Sequence, residues 1–414
     1  MSRLLLCALL WLLPLALGAQ PNDHTLYYST ADSVRLRLKE LGNTEYNGNE
    51  AVLLRSPQEK FDSLFACATR AKRYVHLEYF WLANDSVGQA LINVLRQKAD
   101  EGVEVRLLID DYANRKSERP WKAKDIDSLN SIGIEAAMFD PYRFPWLNHS
   151  YHRDHRKIVV VDGEMAFSGG MNVADYYLTG TRRSGQWRDA HLLLRGSVVG
   201  AYERVFEEIW TRQTGEELDS LSYQGSGKAD GGSVITVVNR EPLALSKRMR
   251  QAYAASIDAA QTEVRIVSPY PTNVRMVRKA IHRALRRGVR VMIMCSASSD
   301  VRVTPDLIGV EMKRLAKRGC EVYFYEGGFH HSKTMTVDGE ICTVGTANLD
   351  GRSMLFDYEI NAFIFDRRMT EQLNAIFDQD LQDSELLTPA SFKHRFRLGQ
   401  RMFGRILVPL RGLF

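Results

Sequence analysis

One short pattern occurs twice in this chain. The first copy is His155-Arg156-Lys157 followed by Ile158-Val159-Val160-Val161-Asp162, and the second is His331-Ser332-Lys333 followed by Thr334-Met335-Thr336-Val337-Asp338. Each copy runs into Gly-Glu, and each reaches a Gly and then an Asn at the same distance: Gly169-Gly170-Met171-Asn172 and Gly345-Thr346-Ala347-Asn348. A carboxylate follows each set, Asp189 in the first and Glu359 in the second. Such a repeat requires two equivalent structural units, each carrying half of a site.

The residue types point to phosphodiester chemistry. Attack at an anionic phosphorus needs a nucleophile, an acid for the leaving alcohol and cations around the oxygens. A neutral imidazole can attack and an imidazolium can donate a proton, so His155 and His331 can divide those roles. The apolar and β-branched residues after each Lys predict strands. His and Lys at alternate positions of a strand share a face. Lys157 and Lys333 then meet the phosphoryl oxygens as point charges, and Asn172 and Asn348 add amide donors. Asp189 and Glu359 are candidates to accept a hydrogen bond from a ring nitrogen and fix its tautomer. Asp162 and Asp338 complete the pattern as candidate catalytic residues, although Asp-Gly is also a common hairpin turn and reads first as structural. Glu78, in His76-Leu77-Glu78-Tyr79, is a further candidate to face the site. His76, His152 and His330 read as local structural residues.

These paired sets resemble the HKD motifs of the phospholipase D superfamily. Trp187-Arg188-Asp189-Ala190-His191 and Asn348-Leu349-Asp350-Gly351-Arg352-Ser353 resemble its cardiolipin synthase branch. The resemblance covers roughly residues 45 to 414. It implies that one His is phosphorylated while the other protonates the leaving group and then activates the acceptor, without metal or cofactor. By comparison with relatives, His155 is the expected nucleophile and His331 the acid and base.

Strand and helix alternate through both halves in the same order, which argues an α/β fold with sheets covered on both faces. The expected architecture is two tandem phospholipase D-like α/β-sandwich repeats about a pseudo-two-fold axis, with the site at their seam. The expected segments are a leader at 1–19, a lead-in at 20–49, a first repeat at 50–224, a linker at 225–233, a second repeat at 234–391 and a basic amphipathic tail at 392–414. The linker, Gly225-Ser226-Gly227 through Gly231-Gly232-Ser233, is flexible by composition.

Leu4 to Leu17 is almost wholly apolar and precedes Gly18-Ala19, so it reads as a secretory signal, with a retained anchor as competitor. On that reading the protein is exported and sits at the periplasmic face of the inner membrane, peripherally or by a single anchor. Cys67, Cys295, Cys320 and Cys342 show no zinc-like spacing and read as buried thiols, with a Cys320–Cys342 disulfide open. The net charge of +5 suits an anionic substrate but not a nucleic-acid partner. Pro141 to Trp146 is an aromatic loop that either lines an acyl path or packs locally. The tail, rich in Arg and interleaved with Phe, Leu, Met and Ile, suits a helix on an anionic bilayer or one docked on the core.

The expected function is transfer of a phosphatidyl group between anionic phospholipids such as phosphatidylglycerol. A phospholipase D-type hydrolase or nuclease using water remains open, as does a catalytically silent membrane-binding protein.

Overall fold

The computed structural model describes residues 29–141, 151–242, 247–272, 274–301 and 304–413. The apolar leader and most of the aromatic loop before the first motif therefore lie outside the described residues. In chain order the strands are β1 (Glu45–Leu54), β2 (Tyr74–Tyr79), β3 (Glu104–Asp110), β4 (Ile134–Phe139), β5 (Lys157–Val161), β6 (Met165–Gly169), β7 (Trp187–Arg188) and β8 (His191–Arg195). The second half supplies β9 (Ser233–Arg240), β10 (Glu263–Val267), β11 (Arg290–Ser296), β12 (Glu321–Tyr325), β13 (Phe329–His330), β14 (Thr334–Val337), β15 (Ile341–Gly345), β16 (Glu359–Phe365) and β17 (Ser384–Leu386).

Fifteen of these form one sheet, ordered β17-β12-β11-β10-β14-β15-β16-β9-β1-β8-β6-β5-β2-β3-β4. Read outward from the centre, the order from β1 repeats the order from β9. The two repeats therefore meet edge to edge, through the antiparallel pair β1 and β9. The start of β1, Glu45-Tyr46-Asn47-Gly48-Asn49, is polar and gives no alternating pattern. Sequence reading placed that stretch in a lead-in, whereas here it builds the seam.

Each motif strand is central in its repeat and buried throughout; after Lys157, β5 is an unbroken apolar run, whereas β14 alternates Thr334 and Thr336 with Met335 and Val337. Ile158 and Val160 pack with Tyr202 and Val205 of the helix Val199–Thr214, and Val159 and Val161 join the large core on the other face. Side chains such as these each contribute ~1.5–3 kcal/mol of apolar burial. The helix Arg367–Leu381 does for the second repeat what Val199–Thr214 does for the first, burying Met369 and Leu373.

Both motif strands end in the same turn. Asp162 and Asp338 have φ of 55° and 51°, and Gly163 and Gly339 follow at 71° and 68°, the positive φ values a tight Asp-Gly hairpin demands. The stretch 225–232 is irregular, as expected, but it is pinned: the Ser226 backbone N–H donates to Glu164 at 2.7 Å, and Gly225 lies against Gly163 so closely that a Cβ there would fall 1.9 Å from the Gly163 carbonyl oxygen.

The tail forms the helices Pro389–Arg395 and Leu398–Leu407. Phe392, Phe396 and Leu407 are buried, while Leu398, Met402, Phe403 and Ile406 stay exposed. The four cysteines expected as thiols are free. The expected periplasmic location is corrected. The leader that alone carried it lies outside the described residues, and among the described residues no helix is long and apolar enough to cross a membrane.

Candidate active site

His155 and His331 stand just before β5 and β14 rather than on them. The backbone around each is held by the opposite repeat. The His155 N–H donates to the Tyr358 carbonyl at 3.1 Å, and the His331 N–H donates to the Arg188 carbonyl at 2.7 Å. Beside the second contact, β13 pairs in parallel with β7, again across the repeats.

These pairings place each carboxylate on the other repeat's histidine. Glu359 Oε1 lies 2.9 Å from His155 Nδ1, and Asp189 Oδ2 lies 2.6 Å from His331 Nδ1. A carboxylate on Nδ1 holds the proton there and leaves Nε2 as the reactive nitrogen. Both Nε2 atoms lack a partner among the described residues. Sequence predicted the two carboxylates but not the crossing.

Lys157 and Lys333 are almost fully buried. Each donates one hydrogen bond to its own histidine's carbonyl oxygen, which turns the ammonium back toward the imidazole. Burial lowers Lys157 to about 7 and Lys333 to about 8, although nearby carboxylates, including Asp189 and Glu359, favour the charged forms. Two such cations with little solvent are poised for an anion that would restore their charge.

The two half-sites differ. Burial and then Lys157 push His155 well below its ordinary value, with Asp357 opposing. Burial and Lys333 also lower His331, but Asp189 opposes both as a charge and as a hydrogen-bond partner. Burial pushes Glu359 up to about 7, against the pull of Lys157, Ser353 and Thr346. The Thr346 hydroxyl donates to Glu359 Oε2. The equivalent position in the first repeat is Gly170, where a Cβ would fall 2.1 Å from Asp189 Oδ1. Where the first repeat has Tyr177 the second has Ser353, and the Tyr177 hydroxyl lies 3.3 Å from His331 Nδ1. Phe80 packs edge-on to His155 at 4.7 Å, whereas Trp187 and Phe329 pack on His331 at 5.2 and 5.5 Å.

The asparagines also differ. Asn172 is occupied: its Oδ1 accepts from the Trp81 N–H at 3.3 Å and its Nδ2 reaches the Tyr177 hydroxyl at 3.5 Å. Asn348 is buried and its Oδ1 has no partner among the described residues.

Asp162 and Asp338 lie at the far ends of the motif strands from the histidines. Asp162 accepts from the backbone N–H groups of Lys72, Arg73 and Tyr74. Asp338 accepts from those of Gln261, Thr262 and Glu263 and from Thr30. They tie the hairpin to the neighbouring strand and do not reach the histidines, so the catalytic role expected of them is corrected. Glu78 is corrected as well. It shares a face with Ile158, opposite to Lys157, and its carboxylate lies 2.6 Å from Arg156 Nε behind the site. His76 is a buried strand residue against Glu203, and His330 pairs with Asp380 at 3.0 Å, both structural as expected.

Sequence reading missed Lys60. It is fully buried, it is held at about 7 by burial, and its Nζ lies 3.4 Å from the Asn172 carbonyl oxygen. It stands before β2, outside either repeated pattern, so spacing gave no signal. Tyr177, Thr346 and Ser353 were missed because the two copies differ at those positions.

Paired histidines, each oriented by a carboxylate and flanked by a buried lysine, on a doubled α/β sheet define a phospholipase D-type enzyme that works on phosphodiesters. Residues 64–210 and 253–381 match the family "Cardiolipin synthase, PLD-like domain". The chain is 33% identical over 384 residues to the probable cardiolipin synthase YwiE of Bacillus subtilis, covering 92% of this chain and 74% of that one. It is 34% identical over 359 residues to the cardiolipin synthase of Staphylococcus aureus, covering 84% and 70%. The chain belongs to the cardiolipin synthase family, phosphatidyltransferases of the phospholipase D superfamily. The fold is that of the phosphatidylserine synthase of Haemophilus influenzae, with a TM-score of 0.70 at 13% identity over 92% of this chain and 100% of that one.

Proposed function

We propose that this protein moves a phosphatidyl group from one phospholipid to a hydroxyl of phosphatidylglycerol, with His155 as nucleophile and His331 as acid and base. The observation that carries the role assignment is the inequality of the two histidines. His155, in the field of two buried lysines, is kept neutral, as a nucleophile must be. Burial lowers His331 too, but its shorter bond to Asp189 opposes that directly, so its imidazolium is the more accessible of the two.

In the first step, Nε2 of His155 attacks phosphorus, the bond from phosphorus to the head alcohol breaks, and His331 gives that alcohol its proton. In the second, His331 takes the proton of the acceptor hydroxyl, whose oxygen attacks phosphorus as the bond to His155 breaks. Lys157 and Lys333 hold the non-bridging oxygens, with the uncommitted amide of Asn348 beside them.

The tail supports work at a lipid surface. Leu398, Met402, Phe403 and Ile406 project from a helix that also carries Arg397, Arg401 and Arg405 at its start and along its length. We infer that this face lies on an anionic bilayer. The segment after it, Val408–Leu413, packs against the helix Gly351–Leu355 that follows Asp350.

The reading is tested with purified protein and phosphatidylglycerol vesicles, resolving the lipid products by mass spectrometry. Cardiolipin with free glycerol is the expected result. Phosphatidic acid without cardiolipin would replace transfer by hydrolysis.

A further inference from the structure

The surroundings of the two half-sites differ. Beside the first repeat's loops, Lys116 Nζ lies 4.0 Å over the Tyr112 ring and Arg352 Cζ lies 5.4 Å from it. On the His331 side stands Asp300. The Tyr270 hydroxyl donates to its Oδ1, and Arg183 holds its backbone carbonyl at 3.0 Å. Asp300 is exposed, its carboxylate forms no ion pair among the described residues, and its Oδ2 takes no hydrogen bond there. Tyr270 in turn lies 6.1 Å from Phe329, which packs on His331 at 5.5 Å, and the charge of Asp300 is felt at His331 and Lys333.

A run of aromatic rings begins at Tyr270, the ring that contacts Asp300. Tyr176 lies 4.4 Å from Trp187, Trp187 lies 4.6 Å from Phe329, and Phe329 lies 6.1 Å from Tyr270. Trp81 extends the wall at 6.5 Å from Tyr176. Ring faces beside a carboxylate are the chemistry that recognises an ammonium group. The free carboxylate oxygen asks further for an N–H donor, which a primary ammonium has and a quaternary one lacks.

We propose that Asp300, oriented by Tyr270 within this aromatic wall, forms a headgroup subsite selecting a donor phospholipid whose head alcohol bears a primary ammonium. This rests on the phosphatidyl-transfer reading above and names its donor class. The subsite lies on the side of His331, the residue that protonates the departing alcohol. In an ethanolamine head the ammonium is two carbons from that oxygen, so proton delivery and headgroup recognition fall on one side.

The test is a competition. The protein is given vesicles with equal amounts of phosphatidylethanolamine and phosphatidylglycerol, and cardiolipin, free ethanolamine and free glycerol are measured by mass spectrometry. Wild type should release ethanolamine in several-fold excess over glycerol. Asp300→Asn should lower that ratio by roughly tenfold, the scale of one charge-assisted hydrogen bond. Asp300→Glu should recover part of it, and Tyr270→Phe should lower it by about threefold. A ratio at or below one in wild type, or one unchanged in Asp300→Asn, would overturn the subsite while leaving transfer intact. Absence of cardiolipin with either donor would overturn the transfer reading and the subsite with it.

Discussion

Asp189 lies 2.6 Å from His331 and so serves the histidine of the second repeat, although it follows His155 in the first. Glu359 makes the reverse crossing to His155. A defect at either carboxylate should therefore look like a defect of the other repeat's histidine.

Asp189→Asn should lower kcat by about 10²–10⁴-fold, the scale of a disabled and misoriented acid. A donor with an activated leaving group, such as a nitrophenol, does not need that acid. It should restore most of the rate to Asp189→Asn and to His331→Ala, but none to His155→Ala. Equal rescue of both histidine variants would remove the assigned roles. Glu359→Gln should cost only about tenfold, because burial raises its carboxyl to about 7, so that roughly half of it is protonated at neutral pH.

The pH profile follows from the lysines. Phosphate binding needs their charged forms, and their values in the protein are depressed, so the charge is lost as pH rises through about 7 at Lys157 and about 8 at Lys333. The plot of kcat/KM against pH, which reports the free enzyme, should fall on its alkaline side across that window. The limb in kcat should lie higher, because a bound phosphodiester restores the charges. His155 is already neutral well below its ordinary value, so it sets no acid limb near neutrality.

Lys157 should also carry a stability cost. Its folded value lies below its unfolded one, so it destabilises the fold at pH values where the free lysine is charged, most fully below about 7. Lys157→Met should raise stability at pH 6 by ~1–3 kcal/mol while abolishing turnover. Thermal denaturation at pH 6 checks this; an unchanged or lower midpoint would contradict it.

Asp162→Ala should do the opposite. It removes an acceptor from three backbone N–H groups and touches no catalytic group. Stability should fall by ~1–2 kcal/mol, as when a helix cap is lost, with kcat of the remaining folded protein within about twofold of wild type. Denaturant titration with parallel kinetics separates the two effects.

The paired variant Phe403→Glu/Ile406→Glu should reduce binding to anionic vesicles by at least about tenfold in a sedimentation assay. Activity on a dispersed short-chain donor should fall far less. A parallel loss of both would assign the helix a core role.

Much of the site was legible because it is repeated. His155, Lys157, Asp189 and their counterparts could be found by comparing one half of the chain with the other. The crossing of the carboxylates could not, because it depends on how β7 meets β13 in space. Glu78 was misread for a related reason: strand alternation sends it to the face of Arg156, and only the register of β2 against β5 reveals that. Lys60, Tyr177 and Asp300 belong to one half only and so left no internal echo. In the fold, the doubled α/β pattern was legible, but the polar start of β1 was not, since its order comes from pairing with β9 rather than from an apolar face.

That central strand has a consequence for synthesis. While the first repeat emerges from the ribosome, residues 50–54 of β1 can pair with β8, but residues 45–49, whose partner in the finished sheet is β9, have no neighbouring strand yet. Unpaired edges of this kind invite pairing with other chains. The completed sheet ends instead on β4 and the three-residue β17, so translation of the second repeat covers that segment in the same event that assembles its chemistry.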